Sequence, residues 1–180
     1  MTDADTDTGD VDGDETTDVD RDPEFTHVND DDGDGVDMVG VGDKPETRRR
    51  GVAAGRLRLR PETVAAVRDG DVAKGEVLAV ARVGAIGAVK RTPDAIPLCH
   101  RIPITDVDTR FTLAEDAVEL RVTVETVART GPEMEALEGV TTGLNVVWDM
   151  VKSAEKDADG EYPTTRVEDV RVVEKSVARE

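Results

Sequence analysis

The sequence predicts an α+β sandwich, in which an antiparallel sheet carries helices packed on one face. Two observations indicate this class. Residues 118–128 alternate apolar and polar side chains with a period of two, as in a strand with one buried face, whereas residues 133–155 place apolar side chains at helical spacing. Such segments follow one another in the order strand, helix, strand, strand, helix, strand, which is typical of the ferredoxin-like topology.

The first elements are predicted mainly from proline and glycine residues. Apolar residues favour a short strand at 36–41. Residues 45–47 resemble a helix start, and Gly51 or Gly55 would end that helix. Leucine then alternates with arginine at 56–60, as in an edge strand.

Two further helices are predicted before the middle of the chain. Pro61 opens a short helix that buries Val64 and Val67 and ends at an Asp-Gly pair. Residues 76–90 are almost all small and apolar, so we expect a helix that is buried on most sides and is stopped by Pro93.

The second half is predicted as a hairpin, a long helix and a last strand. The hairpin strands lie at 109–114 and 118–128, and a turn at 130–132 leads into the helix at 133–155. Its apolar stripe consists of Met134, Leu137, Val140, Leu144, Val147, Val151 and Ala154. The remaining segments are a loop and a strand, at 157–162 and 167–173.

The charge of the chain is concentrated near its N-terminus. The 180 residues hold 41 Asp and Glu against 23 Lys and Arg, which gives a formal net charge of −18. Residues 1–24 contain nine Asp, two Glu and one Arg, and almost no apolar side chain. We therefore expect a disordered acidic tail at 1–24, followed by one folded domain at 25–180.

The composition disfavours several function classes. An acidic surface opposes binding to nucleic-acid phosphates. An acidic interaction tail is one interpretation of the charge, but acids spread through the domain favour adaptation to high salt. The single Cys allows no intramolecular disulfide, and neither a signal-peptide pattern nor a run of membrane-spanning length is found. These features predict a cytoplasmic protein without a membrane or nucleic-acid partner.

The long helix carries the candidate catalytic residues. Asp149 and Lys152 lie three residues apart, and Lys156 follows one turn later on the same stripe. Trp148 beside them suggests partial burial, and a carboxylate and an ammonium at a half-buried site can transfer protons. The alternative is a solvated helix face with an ordinary ion pair.

A second candidate group lies in the loop at 94–103. Cys99 and His100 are adjacent, but the side chains of neighbouring residues point in different directions, so a Cys–His hydrolase is disfavoured. With one Cys and two His in the chain, a metal site is disfavoured as well. A ligand contact and a hydrogen-bonded role within the loop both remain open for His100.

Basic residues are scattered through the otherwise acidic domain. Several of them would form an anion pocket suited to a polyphosphate if the fold gathered them, and individually exposed charges are the alternative. Backbone amides after Gly131 could add to such a site. No Gly-rich phosphate-binding motif is present, which disfavours Rossmann and P-loop sites. The bases are Arg48, Arg49, Arg50, Lys74, Lys90, Arg91, Lys152, Lys156 and Lys175.

Five unusual segments occur in series along the chain. They are Lys74-Gly75-Glu76-Val77, Lys90-Arg91-Thr92-Pro93-Asp94, Ile96-Pro97-Leu98-Cys99-His100, Thr130-Gly131-Pro132-Glu133-Met134-Glu135-Ala136-Leu137 and Asp149-Met150-Val151-Lys152. In order and spacing they resemble the cyclic pyranopterin monophosphate synthase (MoaC) family of molybdenum cofactor biosynthesis. The resemblance covers about residues 25–176.

This resemblance implies a lyase with a nucleotide substrate. The family converts (8S)-3′,8-cyclo-7,8-dihydroguanosine 5′-triphosphate to cyclic pyranopterin monophosphate and diphosphate, and a radical S-adenosylmethionine enzyme supplies that substrate. The resemblance also implies a homohexamer, a trimer of dimers with active sites at subunit interfaces. It implies no resident cofactor or metal, although Mg²⁺ could accompany the triphosphate.

The family's functional residues fall on matching positions of this chain. Asp149 and Lys152 match its catalytic pair, which would share the proton transfers. The positions that match its substrate-binding residues are Leu98, Cys99, His100, Met134, Glu135, Lys74, Lys90, Arg49, Glu133 and Lys175. Cations among them would stabilise the charge of the leaving diphosphate.

Two other classes of protein remain open from the sequence. A non-catalytic ferredoxin-like nucleotide-binding module would use the basic residues without needing the pair of Asp149 and Lys152. An acidic scaffold would act through residues 1–24, and it would lose its function when they are deleted.

Overall fold

Four antiparallel strands form one sheet in the order β2-β3-β1-β4. The computed structural model describes residues 37–178. Its strands are β1 (Thr47–Arg58), β2 (Ile104–Leu113), β3 (Ala117–Ala128) and β4 (Arg166–Val177), and its helices are α1 (Pro61–Asp69), α2 (Val77–Val89), α3 (Thr92–Ala95) and α4 (Glu133–Glu155). This order and the helices packed against the sheet confirm the predicted ferredoxin-like α+β class. The predicted acidic tail lies outside the described residues.

The core lies between the sheet and α4. Val118, Leu120, Val122 and Val124 alternate along β3, and each is at most 1% exposed. Val140, Leu144, Val147 and Val151 of the predicted apolar stripe pack onto them, so the period of two in the strand and the helical period in α4 meet at one interface. The two ends of the predicted stripe, Met134 and Ala154, are exposed instead. The predicted hairpin and long helix are confirmed, although β2 begins at Ile104, five residues before the predicted start.

Strand β1 occupies the segment for which a helix was predicted. Thr47–Arg58 is paired with β3 on one side and with β4 on the other, so the prediction of a helix at 45–55 was wrong. The strand predicted at 56–60 is present at 56–58, as the end of β1, but it is a central strand and not an edge strand. The described part of the strand predicted at 36–41 is irregular. Gly51 is needed where β1 meets the start of α4, because a Cβ there would lie 3.1 Å from the carbonyl carbon of Pro132.

Helices α2 and α4 run antiparallel and in close contact. A Cβ on Gly143 would lie 3.2 Å from the Cβ of Ala85, and one on Gly84 would lie 2.9 Å from a methyl group of Val146. The small residues of α2 thus permit close packing, as predicted. The prediction that α2 is buried on most sides was wrong. Its outward face is exposed within the described residues, and Val83 on that face is 72% exposed.

Glu155 fixes the end of α4. Its side chain is fully buried, accepts hydrogen bonds from the backbone amide of Arg60 at 3.1 Å and 3.3 Å, and accepts another from the Thr165 hydroxyl. The Arg60 guanidinium in turn donates to the carbonyl oxygens of Ala154 and Glu155. The last turn of α4, the start of α1 and the approach to β4 are therefore held together.

Candidate functional site

Asp149 lies between two ammonium groups near the C-terminal end of α4. Lys152 Nζ donates a hydrogen bond to Oδ1 at 2.7 Å, and Lys74 Nζ donates to Oδ2 at 3.0 Å and to the Asp149 carbonyl oxygen at 2.6 Å. Lys152 reaches the carboxylate because the two residues are one helical turn apart. Lys74 reaches it because the segment before α2 lies beside the end of α4. We call these three residues the Asp149 cluster.

The two lysines of the Asp149 cluster favour the ionised form of its carboxylate. Hydrogen bonds from Lys152 and then from Lys74 lower the pKa of Asp149 to about 2. The same carboxylate raises the pKa of Lys152, first by hydrogen bonding and second by its charge. At neutral pH the cluster therefore holds one carboxylate and two ammonium groups, with an excess of one positive charge that suits a phosphate.

The Asp149 cluster is open to solvent. The side chains of Asp149, Lys152 and Lys74 are 58%, 48% and 47% exposed, so the prediction of a half-buried pair was wrong for the isolated chain. Trp148, which suggested burial, lies partly inward and packs edge-on against Tyr162 at 5.6 Å between ring centroids. Lys156 forms no ion pair with Asp149, and its ammonium group lies over the Tyr162 ring. Tyr162, the only Tyr in the chain, was not predicted as a neighbour of the site.

A second group of the predicted residues lies at the N-terminal end of α4. Glu133 forms an ion pair with Lys175 of β4, with 2.5 Å between Oε1 and Nζ. Glu135 is only 4% exposed. Burial is the main cause that raises its pKa, and the charge of Glu133 adds to it, although a hydrogen bond from the backbone amide of Glu135 itself acts in the opposite direction. Burial and the charge of Glu135 also raise the pKa of the Cys99 thiol, which places the loop at 94–103 near this end. We call Glu133, Glu135, Cys99 and Lys175 the Glu135 cluster.

The other predicted binding residues border the Glu135 cluster or α2. Leu98 and Met134 are exposed apolar side chains, at 49% and 40%, and His100 is partly exposed. Arg49 Nε donates to the Ala128 carbonyl oxygen at 3.1 Å, where β1 and β3 approach α4. Lys90 is exposed at the C-terminal end of α2.

The two clusters lie at opposite ends of one helix. Glu135 and Asp149 are fourteen residues apart along α4, which corresponds to about 21 Å at a rise of 1.5 Å per residue. The fold therefore brings Lys74 and Lys152 together, as an anion pocket requires, but it separates them from Lys175. The first turn of α4 already carries two acidic side chains, Glu133 and Glu135, which disfavours the binding of an anion there.

Within residues 37–178, no three His, Cys, Asp or Glu side chains lie close enough together to hold a metal ion. Among the helices of that same part of the chain, none is both long and apolar enough to cross a bilayer.

Fold and site together define a ferredoxin-like α+β protein with a solvent-open carboxylate held by two lysines. The family model described as the MoaC family matches residues 38–177, and the chain belongs to that family.

Three relatives show how close the similarity is. Each is named a probable cyclic pyranopterin monophosphate synthase. The protein of Natronomonas pharaonis is 66% identical over 154 residues, which cover 86% of this chain and 95% of that protein. The protein of Halobacterium salinarum is 64% identical over 141 residues (78% and 86%), and that of Pyrococcus abyssi is 54% identical over 151 residues (84% and 93%).

Proposed function

We propose that this protein is a cyclic pyranopterin monophosphate synthase of molybdenum cofactor biosynthesis. It would act as a lyase on (8S)-3′,8-cyclo-7,8-dihydroguanosine 5′-triphosphate and release diphosphate. The MoaC family membership and the names of its relatives support this function. The observation that carries it within the chain is the Asp149 cluster, in which one carboxylate is held between two ammonium groups.

The triphosphate supplies a way to activate Asp149. In the free protein, hydrogen bonds from Lys152 and Lys74 keep the Asp149 carboxylate ionised. A bound polyphosphate competes for both ammonium groups, because its oxygens carry more charge than one carboxylate. As the lysines turn towards phosphate, the pKa of Asp149 rises and the carboxylate becomes a better proton acceptor.

Formation of the cyclic phosphate can then be written as one balanced step. A substrate hydroxyl oxygen attacks the α-phosphorus, and the bond from that phosphorus to the bridging oxygen breaks. The hydroxyl proton passes to Asp149, and the electron pair of the broken bond leaves with diphosphate. Lys74 and Lys152 stabilise the charge on the leaving group.

We propose further that each active site is shared between two copies of the chain. The Asp149 and Glu135 clusters lie about 21 Å apart on one helix, so residues of both clusters can surround one nucleotide only if they come from different copies. The homohexamer implied by the family resemblance provides such interfaces. A cytoplasmic location, a radical S-adenosylmethionine enzyme as the source of substrate, and salt adaptation of the acidic surface belong to the same proposal.

Product formation tests the proposed function. Purified protein is supplied with the cyclised dihydro-GTP, and cyclic pyranopterin monophosphate and diphosphate are measured. We expect both from the wild type and from Lys156→Ala, whose lysine lies over Tyr162. Lys152→Ala should lose about 10²-fold or more in kcat, the range for a residue that takes part in proton transfer. Nucleotide binding without turnover in all three proteins would instead establish a non-catalytic nucleotide-binding module.

A further inference from the structure

A pocket rich in arginine lies on the face of the sheet opposite α4. Its volume is about 290 Å³, at the lower end of the range for pockets that bind small molecules. Gly55 of β1 faces α4, so its neighbour Ala54 projects from the other face and forms the floor of the pocket. We call it the Ala54 pocket. The arginines that line it are Arg56, Arg110, Arg121 and Arg171.

Three of these arginines form one row across the sheet with Ala54. Arg110 of β2 is paired in register with Arg121 of β3. Arg121 is paired on its other side with Ala54, and Ala54 in turn is paired with Arg171 of β4. Neighbouring strands are about 4.8 Å apart, so the backbones of Arg121 and Arg171 flank Ala54 at about 10 Å from each other. Because Ala54 ends in a methyl group, the space between the arginines stays open.

The row of arginines is not explained by contacts within the chain. Like charges directly opposite each other destabilise a sheet, yet Arg110 makes no ion pair and no side-chain hydrogen bond within residues 37–178. Arg121 Nη2 lies 3.7 Å from Glu174 Oε2, and the same glutamate is bound more closely by Arg50. Adaptation to high salt favours acidic surfaces and does not account for neighbouring arginines. A bound anion would offset their repulsion.

A bulge in β4 directs the nearby acids to another arginine. One residue separates Ala54 from Arg56 on β1, whereas two residues separate their partners on β4. Asp169 lies in this bulge with a φ of 57°, which is uncommon for a residue other than glycine. Arg56 pairs with Glu168 and with Asp169, each at 2.9 Å, and Arg171 Nη1 donates to the Asp169 carbonyl oxygen at 3.0 Å. Bulges of this kind re-aim side chains beside functional sites.

The charges that line the Ala54 pocket leave it positive. Two acids, Glu119 and Asp169, stand against the four arginines, which is an excess of two positive charges. The Asp169 carboxylate is already paired with Arg56, so only Glu119 remains to face the row. Guanidinium groups bind phosphate oxygens through paired hydrogen bonds. The pocket therefore suits a small anion with several phosphate oxygens.

We propose that the Ala54 pocket binds a diphosphate group, either as free diphosphate or as the diphosphate of a nucleotide. Arg121 and Arg171 stand on the two sides of Ala54, so each can bind one phosphoryl unit, and Arg110 adds a third cation. The Asp149 and Glu135 clusters lie on α4, on the other side of the sheet. This binding site is separate from both clusters and does not rest on the proposed function.

Calorimetric titration of the full chain with diphosphate tests the site. Arg110→Gln and Arg171→Gln should each weaken binding about tenfold or more, because each removes charged hydrogen bonds to phosphate oxygens. Binding at the Ala54 pocket should persist in Lys152→Ala, in which the Asp149 cluster is damaged. Arg48→Gln is the matched control, since it removes the same charge from the same face of β1 about 20 Å away. Wild-type affinity in Arg110→Gln and Arg171→Gln, or loss of all binding in Lys152→Ala, overturns the proposal.

A substitution that leaves the charge unchanged tests the shape of the pocket. Ala54→Leu fills the space between the arginines, so it should weaken diphosphate binding about tenfold or more by keeping the guanidinium groups from the phosphate oxygens. Thr123→Leu adds similar bulk on the same face of β3 and outside the pocket, and it should bind as the wild type does. Urea unfolding verifies that both variants are folded. Equal affinities in the two variants would show that the net charge of the face, and not the pocket, attracts diphosphate.

A comparison of anions at equal ionic strength tests the chemical class. Phosphate should bind about tenfold more weakly than diphosphate, because one phosphoryl unit cannot reach the arginines on both sides of Ala54. Phosphate that binds as tightly as diphosphate contradicts a site for two phosphoryl units. A nucleoside diphosphate distinguishes the two sources. If it binds as tightly as diphosphate, the ligand is a nucleotide, and if it binds more weakly, the ligand is free diphosphate; both results support a diphosphate site.

Turnover separates this site from the proposed function. If the wild type forms no product but loses diphosphate binding on Arg110→Gln, the Ala54 pocket stands and the proposed function fails. If the wild type forms product and Arg110→Gln binds diphosphate unchanged, the proposed function stands and the Ala54 pocket fails.

Discussion

At the residue scale, Asp149 is the group whose chemistry depends most on its neighbours. Two hydrogen-bonded ammonium groups hold its pKa near 2, so the carboxylate is a weak base until a ligand draws the lysines away. The lowered pKa also fixes the sign of its effect on stability. The contribution of the ion cluster is complete above the ordinary pKa of Asp, and it is lost as the pH falls from there through about 2.

We expect Lys152→Ala to raise the pKa of Asp149 towards its ordinary value of 3.8, because the largest cause of the lowering is removed. The ¹³C shift of the Asp149 carboxyl group, followed against pH in the folded range, measures this. Lys156→Ala is the matched control, since that lysine contacts Tyr162 and not Asp149. Equal titration curves for the two variants would contradict the assigned hydrogen bond.

Glu135 shows the opposite effect at the other end of α4. Burial raises its pKa, so the folded chain binds a proton more tightly than the unfolded chain, and stability falls as the pH rises through this range. We expect Glu135→Gln to raise Tm at pH 8, with a gain that shrinks as the pH is lowered. Thermal unfolding across this pH range checks it, with Glu138→Gln on the same helix as the control; a gain that does not vary with pH would point to a cause other than ionisation.

At the scale of elements, close contact of α4 with its neighbours depends on glycine. A Cβ on Gly143 would lie 2.5 Å from a methyl group of Leu120 and 3.2 Å from the Cβ of Ala85. We expect Gly143→Ala to lower the free energy of unfolding by about 1–3 kcal/mol, because overpacking outweighs the gain in helix propensity. Urea unfolding measures this. Ser153→Ala, on the exposed side of α4, should change stability little.

Glu155 should matter for stability rather than for chemistry. Glu155→Ala leaves the Arg60 amide and the Thr165 hydroxyl without their acceptor, so we expect a loss of about 2–4 kcal/mol in the free energy of unfolding. Glu161→Ala in the exposed loop is the control. Calorimetry compares the two, and a loss no larger than that of the control would show that water replaces the carboxylate.

The sequence predicts well those elements whose apolar side chains recur at a regular spacing and face one core. Strand β3 and helix α4 are of this kind, and the bounds of α4 are confirmed to the residue. Strand β1 was mistaken for a helix because glycines occupy two of its core-facing positions, where α4 approaches too closely for a side chain. The contact that makes those glycines necessary joins residues far apart in the sequence, so no local pattern reveals it.

At the scale of the whole molecule, the site should work only across copies. Lys152→Ala damages the Asp149 cluster and Lys175→Ala damages the Glu135 cluster. In a mixture of the two variants, allowed to exchange subunits, about a quarter of the shared sites would combine two intact halves. We therefore expect the mixture to recover up to about a quarter of the wild-type turnover, while each variant alone stays low. A mixture as inactive as its components would place the whole site within one chain.

The sequence proposes a set of candidate site residues, which stays a prediction, but it does not give their arrangement. Motif resemblance supplied all twelve positions, and helical spacing supplied the contact of Asp149 with Lys152. The contact of Lys74 with Asp149 depends on the antiparallel packing of α2 and α4. The exposure of Val83 was not predictable either. The apolar residues of α2 do not show by themselves whether they face the core of the chain or lie on its surface.

The position of β1 in the sheet has a consequence for how the chain is made. Both strands that flank it, β3 and β4, are encoded after it, and its last hydrogen-bonded neighbours lie at residues 166–177. During synthesis, β1 waits for its first partner until β3 has left the ribosome, and for its second until β4 has followed. The sheet therefore becomes complete only when β4 has emerged, and a truncation before β4 would leave one edge of the central strand open to pairing with other nascent chains.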